Sequence, residues 1–264
     1  MTTQAAFDET VDVLVVGSGA GAMVAGLYAA LSGAQVLLVE KSPYYGGTSA
    51  TSGGGLWIPC NHLMADVGID DNAGDAARYM LALTGEDVAR ENVESYIANG
   101  ARMLRWLTDH SHVRFQAMQY YADYYQHLDG AKPGGRSIDP LPYNAQVLGK
   151  DFHDMQEPHR QVRVMGLMGY SNTEGAILLS KSPGWFKLIL RLAAQYFLDL
   201  PWRLYSRRSR RLTMGNALIG RLRRSLLDWK VPIWLSSPAG TLISDAGGKV
   251  VGATVQRGGR TLRV

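Results

Sequence analysis

Gly17-Ser18-Gly19-Ala20-Gly21-Ala22 stands between an aliphatic run and an alanine-rich stretch, and its spacing fits the G-x-G-x-x-G/A turn that holds a dinucleotide pyrophosphate. In such a turn Gly17 permits the tight bend, Gly19 lets backbone approach the phosphates, and Ala22 is small enough for helix and strand to pack closely. The helix start adds amides and the positive end of its dipole. Glu40 ends the next aliphatic run, with Lys41 beside it. A carboxylate there accepts hydrogen bonds from a ribose hydroxyl and repels a ribose 2′-phosphate. The segment that follows, KSPYYGGTSATSGGG, contains Gly46, Gly47, Thr48, Ser52, Gly53, Gly54 and Gly55. Glycines without a Cβ let amides and hydroxyls come close to a ligand. A flavin's second half needs such a further cradle, so the two motifs together point to FAD over NAD. The same glycine density also suits a flexible hinge.

These residues need a β-α-β unit to position them. Residues 12–16 (DVLVV) predict a short, fully buried parallel strand, residues 23–32 a helix ended by Gly33, and residues 35–40 the second strand. The crossover must be right-handed and the sheet parallel. Residues 41–55 read as loop, and residues 73–83 and 88–107 as helices. Residues 120–142, aromatic and rich in glycine and proline, predict irregular functional loop. Residues from there to about 183 give no regular pattern. Helices are expected over 185–200 and from Thr213, placed to cap TMGNALIGRLRRSLLDW. Short strands follow at Trp234, 241–244, 250–256 and 261–264, with turns at 246–248 and 258–259. The expected fold class is α/β: a Rossmann-like FAD-binding domain with a parallel sheet, helical insertions and a small antiparallel β meander near the C-terminus. The last strand runs to the terminus without a cap or polar tail, so residues 1–264 are expected to be the N-terminal part of one such domain, apparently truncated. Within it we expect a dinucleotide-binding portion (1–60), a helical segment (71–109), a basic amphipathic insertion (156–212) and the meander (234–264).

With 264 residues, 46% hydrophobic and 19% charged, the chain has a globular composition. No apolar run reaches the roughly 20 residues of a spanning helix, and MTTQAAFDET lacks the features of a signal peptide. A cytoplasmic location is therefore expected. The one cysteine, Cys60, excludes an intrachain disulfide and a cysteine metal cluster, and it is given no role. His153 and His159 surround Asp154 and Glu157, but they supply no closed ligand set, so no metal is expected. Much of the net charge of +4 sits between Arg203 and Arg224. Trp185, Phe186, Leu188, Ile189 and Leu192 can share a helix face next to Arg203, Arg207, Arg208, Arg210 and Arg211. Two readings stand: peripheral membrane contact through residues 185–211, or the commoner amphipathic helix packed on its own protein with a solvated basic flank. No nucleic-acid motif accompanies the arginines, so no nucleic-acid partner is expected.

VDVLVVGSGAGAMVAGLYAA and VLLVEKSPYYGGTSATSGGGLWIPCN resemble the succinate dehydrogenase and fumarate reductase flavoprotein superfamily. Within it, GGGLWIPCN, YADYYQHLDGAKPGGRSIDPLPYNAQVLG, TMGNALIGRLRRSL and PAGTLISDAGGKVVGATV look like the FAD-dependent 3-ketosteroid Δ1-dehydrogenases. The resemblance implies oxidation of a steroid-like ketone to a 1-ene, with hydride leaving carbon 1 for FAD, a proton leaving carbon 2 for a tyrosine base, and a separate electron acceptor. One tyrosine in a Pro-Asp-Tyr-like segment assists that base. The matching run is Ala122-Asp123-Tyr124, which makes Tyr124 the catalytic candidate, with alanine standing where the family has proline. The competing reading makes Tyr120, Tyr121, Tyr124 and Tyr125 a cluster that fills a pocket. The family's main tyrosine base, its keto-polarising tyrosine and glycine, and its second flavin-binding segment match nothing before residue 264, which implies weak or no activity from this chain alone. The alternatives are a related flavoprotein reductase or dehydrogenase, including a Δ4-type steroid enzyme, and a non-catalytic FAD-binding fragment. Steroid turnover separates the first alternative and flavin retention tests the second.

Overall fold

The computed structural model describes residues 6–264. In chain order its elements begin with β1 (Val13–Val16), α1 (Ala20–Leu31), β2 (Val36–Val39), α2 (Gly47–Thr51), β3 (Leu56–Trp57), α3 (Ala73–Thr84) and α4 (Arg90–His110). Then come β4 (Phe115–Ala117), β5 (Ser137–Pro140), β6 (Tyr143–Asn144), β7 (Arg163–Val164), β8 (Met168–Gly169), α5 (Asn172–Ser180), α6 (Trp185–Phe197) and α7 (Leu200–Arg203). The last are β9 (Arg211–Leu212), α8 (Met214–Asp228), β10 (Ile233–Trp234), β11 (Ala239–Ser244), β12 (Val250–Arg257) and β13 (Arg260–Arg263). The chain divides into two units. The first holds the described residues up to Thr51, with Ala145–Pro158 and Ile219–Val264; the second holds Ser52–Asn144 and His159–Leu218.

In the first unit, β1, β2 and β10 form a parallel sheet with β2 in the centre. The continuous run VLLV of β2 is buried at every position, as a strand covered on both faces must be. The expectation of a fully buried first strand is corrected. Among the described residues β1 pairs with β2 alone, and at its end Val16 is 62% exposed because an edge strand has a neighbour on one side only. Helix α1 buries Met23, Leu27 and Ala30. Gly26 lets it lie on the sheet, since a Cβ there would come within 2.7 Å of Leu38 Cδ1. The close-packing role that the spacing assigned to Ala22 thus falls on Gly26. The predicted meander forms as β11-β12-β13, and Val255 and Val264 pack with Leu37 and Val39 in one apolar cluster. Buried Tyr45 ties Ala145–Pro158 into this unit: its amide donates to Asp154 O and its hydroxyl to Asp151 O.

The second unit contains the antiparallel sheet β3-β5-β4 and two helical layers. Helices α3 and α4 meet through Ala76, Val93 and Ile97. Leu188, Leu192 and Tyr196 of α6, at spacings of four residues, pack with Met168. Within the stretch expected to be irregular, residues 137–140 form the central strand β5, buried at all four positions. Its sequence SIDP hides this, because serine, aspartate and proline read as loop and only tertiary pairing overrides them. Residues 41–55 likewise contain the one-turn helix α2. Helix α5 had gone unassigned, yet a capping box announces it: Ser171 accepts from the Glu174 amide, and the Glu174 carboxylate accepts from the Ser171 amide. The helix expected over 185–200 breaks after Phe197, and α7 starts afresh with a proline in its first turn, where the missing N–H costs nothing.

Candidate functional site

In the first unit the glycine turn has the geometry a phosphate needs. Gly17 has φ +99°, a conformation that L side chains rarely adopt, and its amide donates to Val39 O at 2.7 Å. Gly19 is the N-cap of α1 and brings no capping side chain, and no acidic residue stands in the first turn. An added Cβ at Gly17 or Gly21 would meet nothing within 4 Å. Space and a helix N-terminus with no acidic residue in its first turn therefore coincide, which favours anion binding. Ser18 is buried and braces the turn: its hydroxyl donates to Glu40 Oε2 and accepts from the Gly46 amide at 3.0 Å. Glu40 Oε1 accepts from the Ser42 amide at 2.9 Å, and a carboxylate has lone pairs left for a ribose hydroxyl. Ser49, which the motif did not flag, accepts from the first helical amide, Ala20, at 3.1 Å. Lys41, Gly47 and Thr48 are exposed, and Gly46 is buried.

Ser52, Gly53, Gly54 and Gly55 belong to the second unit, where the loop closes on α8. Gly54 has φ +71°, and a Cβ on it would lie 2.4 Å from the Gly215 amide nitrogen, so only glycine fits. The Gly215 amide donates to Ser52 O at 3.1 Å. The Asn172 side-chain amide bridges Gly53 O and Asp139 Oδ1, each at 2.8 Å. Burial pushes the Asp139 carboxyl above the usual carboxylate range, against the hydrogen bonds from Asn172 and Thr173.

The same loop forms one wall of a cavity of about 530 Å³, within the usual size of ligand pockets. Trp57, Tyr79, Met80, Leu83 and Met118 provide ring and aliphatic surface, and Tyr121, Asp123 and Tyr124 provide polar edges. No lysine or arginine is among the lining residues. The Tyr121 and Tyr124 hydroxyls lie 3.0 Å apart. That hydrogen bond, with some burial, holds the Tyr121 phenol above its ordinary range. Tyr124 is 80% exposed and Tyr120 89%, so the tyrosines are not a collapsed cluster sealed inside a pocket.

The basic stretch is less free than its sequence implies. Arg210 pairs with Asp199, Arg211 and Arg191 pair with Glu174, and the Arg203 guanidinium sits 4.1 Å from the centre of the Tyr196 ring. The shared apolar face is also corrected. Leu188 and Leu192 point to the core while Phe186 is 58% exposed, because two residues turn a helix by a little over half a turn and put Phe186 on the opposite side from Leu188. His153 and His159 are both exposed, and His159 accepts from the Gln161 amide.

The family profile described as FAD binding domain matches residues 12–264, which takes in the glycine turn, Glu40 and the cavity wall. The chain belongs to the FAD binding domain family. FAD is accordingly its cofactor, and the open helix start beside Gly17 and Gly21, which carries no acidic residue in its first turn, fits the pyrophosphate of that group. Among relatives, 3-oxosteroid 1-dehydrogenase of Comamonas testosteroni is 37% identical over 97% of this chain and 45% of its own length. The crystal structure of 3-ketosteroid delta1-dehydrogenase from Sterolibacterium denitrificans, in complex with 1,4-androstadiene-3,17-dione, superposes with TM-score 0.92 at 41% identity. It covers 96% of this chain and 45% of that one. A 4-oxocyclohexanecarboxylate 2-dehydrogenase of Sinomonas cyclohexanicum is 41% identical over 55% of this chain and 25% of its own length. The chain thus spans under half the length of the relatives it matches. A flavocytochrome c3 fumarate reductase at 19% identity, covering 94% of this chain and 30% of that one with TM-score 0.55, shares the fold.

Proposed function

We propose that this FAD-binding chain is the N-terminal part of a 3-ketosteroid Δ1-dehydrogenase and that its cavity takes the steroid. The observation that carries the reading is the wall of the cavity, which is aromatic and aliphatic, has no basic residue, and has a tyrosine pair at its polar edge. Such a wall suits a neutral fused-ring ketone. It does not suit a keto acid such as the substrate named for the Sinomonas relative, whose carboxylate would enter without a cation to meet it.

Gly17, Ser18, Gly19, Gly21 and Ala22 would hold the pyrophosphate and Glu40 the ribose, with Lys41, Gly46, Gly47 and Thr48 of the same unit completing the cradle, and the sequence motif makes Ser52, Gly53 and Gly54 further FAD candidates. When bound, FAD supplies the acceptor for the hydride from carbon 1. The Tyr124 hydroxyl would relay the proton from carbon 2, giving up its own hydroxyl proton along its hydrogen bond to Tyr121 as it accepts the new one, and Tyr121 would release a proton to solvent in turn. A separate electron acceptor would reoxidise the flavin. Exposed Phe186, Leu198, Leu200, Leu204 and Tyr205 support contact with a membrane surface through residues 185–211, where sterols partition.

The test is titration of the FAD-loaded chain, under anaerobic conditions, with a 3-ketosteroid and in parallel with 4-oxocyclohexanecarboxylate, followed by the flavin spectrum. The expected result is a saturable perturbation or bleaching with the steroid alone, weakened in Tyr124→Phe. A flavin that answers the keto acid and ignores the steroid would overturn the reading.

A further inference from the structure

Beneath the tyrosines lies a buried charge cluster that the proposed chemistry does not use. Arg136 is 0% exposed, and the Asp71 and Asp123 side chains are 1% and 2% exposed. Arg136 Nε and Nη2 donate to the two oxygens of Asp71 at 2.8 and 2.7 Å, and Nη1 donates to Asp123 Oδ2 at 2.8 Å. The planar fork of arginine is what allows two carboxylates to be gripped at once. Asp123 carries the grip onward: its Oδ1 accepts from Trp57 Nε1 at 2.7 Å and its Oδ2 from the Lys132 amide at 2.9 Å. The guanidinium also stands 5.5 Å from the Trp57 ring centre and 5.6 Å from that of Tyr79. Lys132 Nζ pairs with Asp75 at 2.7 Å and stands 4.0 Å from Asp71, so it adds positive charge beside the two carboxylates that Arg136 grips.

The Asp123 side of this cluster ends on the cavity. Trp57, Tyr79 and Asp123 line it, and Asp123 is the chain neighbour of Tyr124. Withdrawing three ions from water costs several kcal/mol per ion, and an apolar plug of equal volume would stabilise the fold as well or better. What an apolar plug cannot do is fix direction. An Asp123 held by arginine, indole N–H and backbone N–H cannot rotate or slide, so neither can the loop that presents Tyr121 and Tyr124.

We propose that Arg136, with Asp71 and Asp123, is the positioning centre of the cavity, which sets the Tyr121–Tyr124 hydroxyl pair and the Trp57 ring in fixed relation for the substrate ketone. The identity of that ketone rests on the steroid reading above; the positioning does not.

The test uses Asp123→Asn in the FAD-loaded full chain. The substitution keeps one side-chain oxygen and removes the charge facing Arg136. Two readouts are taken: 3-ketosteroid affinity by calorimetry, and tyrosine ionisation by tyrosinate absorbance against pH. A released loop separates the Tyr121 and Tyr124 hydroxyls, so Tyr121 ionises at lower pH than in the parent, and steroid affinity falls on the order of tenfold. Arg136→Lys, which keeps the charge and loses the fork, is expected to give the same two changes, and it serves where Asp123→Asn does not fold. If the parent binds no steroid yet tyrosine ionisation moves in the variant, the positioning holds and the steroid reading falls. Folded variants whose tyrosines ionise as in the parent would overturn the positioning role. Failure of both variants to fold would also overturn it, by making the cluster a stability element only.

Discussion

Around Gly17 and Gly21 an added Cβ meets nothing within 4 Å, and the working groups are main-chain amides at a helix start. Around Tyr124 the working groups are side chains, held by an arginine that is 0% exposed. The first site is made of backbone and open space, so it depends on small residues and local charge. The second depends on ion pairing out of water, so its weak point is a buried residue that never touches the ligand. Substitutions that change size or charge should therefore separate the two.

The largest effect is expected at Arg136→Met, which leaves Asp71 and Asp123 buried without their cation. Loss of about 3–5 kcal/mol in urea unfolding is the expected result, and a loss under about 1 kcal/mol would show that the carboxylates reach water or protons cheaply. Next comes Gly26→Val. The added Cβ alone would come within 2.7 Å of Leu38 Cδ1, and overpacking of this kind costs about 1–3 kcal/mol by the same assay. Gly21→Asp sharpens the contrast, because there is room for the side chain and an acid suits a helix start. Unfolding should be unchanged while FAD affinity drops on the order of tenfold, about 1.4 kcal/mol, and recovers part of the loss in high salt. The smallest effect belongs to Arg224→Ala, which removes a half-exposed i,i+4 pair with Asp228. A change of at most about 0.5 kcal/mol is expected.

The difference between the two sites also explains what could be read before the fold was seen. The nucleotide turn is local: strand, glycines, helix, strand and acid fall within residues 12–40, and their order alone predicts their geometry. The meander and most helices were legible for the same reason, since apolar periodicity and turn glycines act over a few residues. In the first unit the burial of β1, the one-turn helix α2 and the close packing at Gly26 were not legible, because which strand sits at a sheet edge and which residue meets it are decided by partners elsewhere in the chain. The cavity is the opposite case. Arg136 meets Asp71 across 65 positions and Asp123 across 13, and no spacing rule joins them. Strand β5 was hidden by its own polar letters. Helix α5 could have been found, because Ser171 and Glu174 stand at capping-box spacing. The arginines of residues 203–211 looked free since ion pairing to Asp199 and Glu174 has no signature in composition.

The most direct measurement is flavin retention: the chain is loaded with FAD, desalted, and its visible spectrum compared with that of Gly21→Asp treated in the same way. Near-stoichiometric flavin on the parent and a marked loss from the variant, with both equally folded by circular dichroism, is the expected result. Flavin that washes from the parent as readily as from the variant would contradict a nucleotide site built from the Gly17–Ala22 turn.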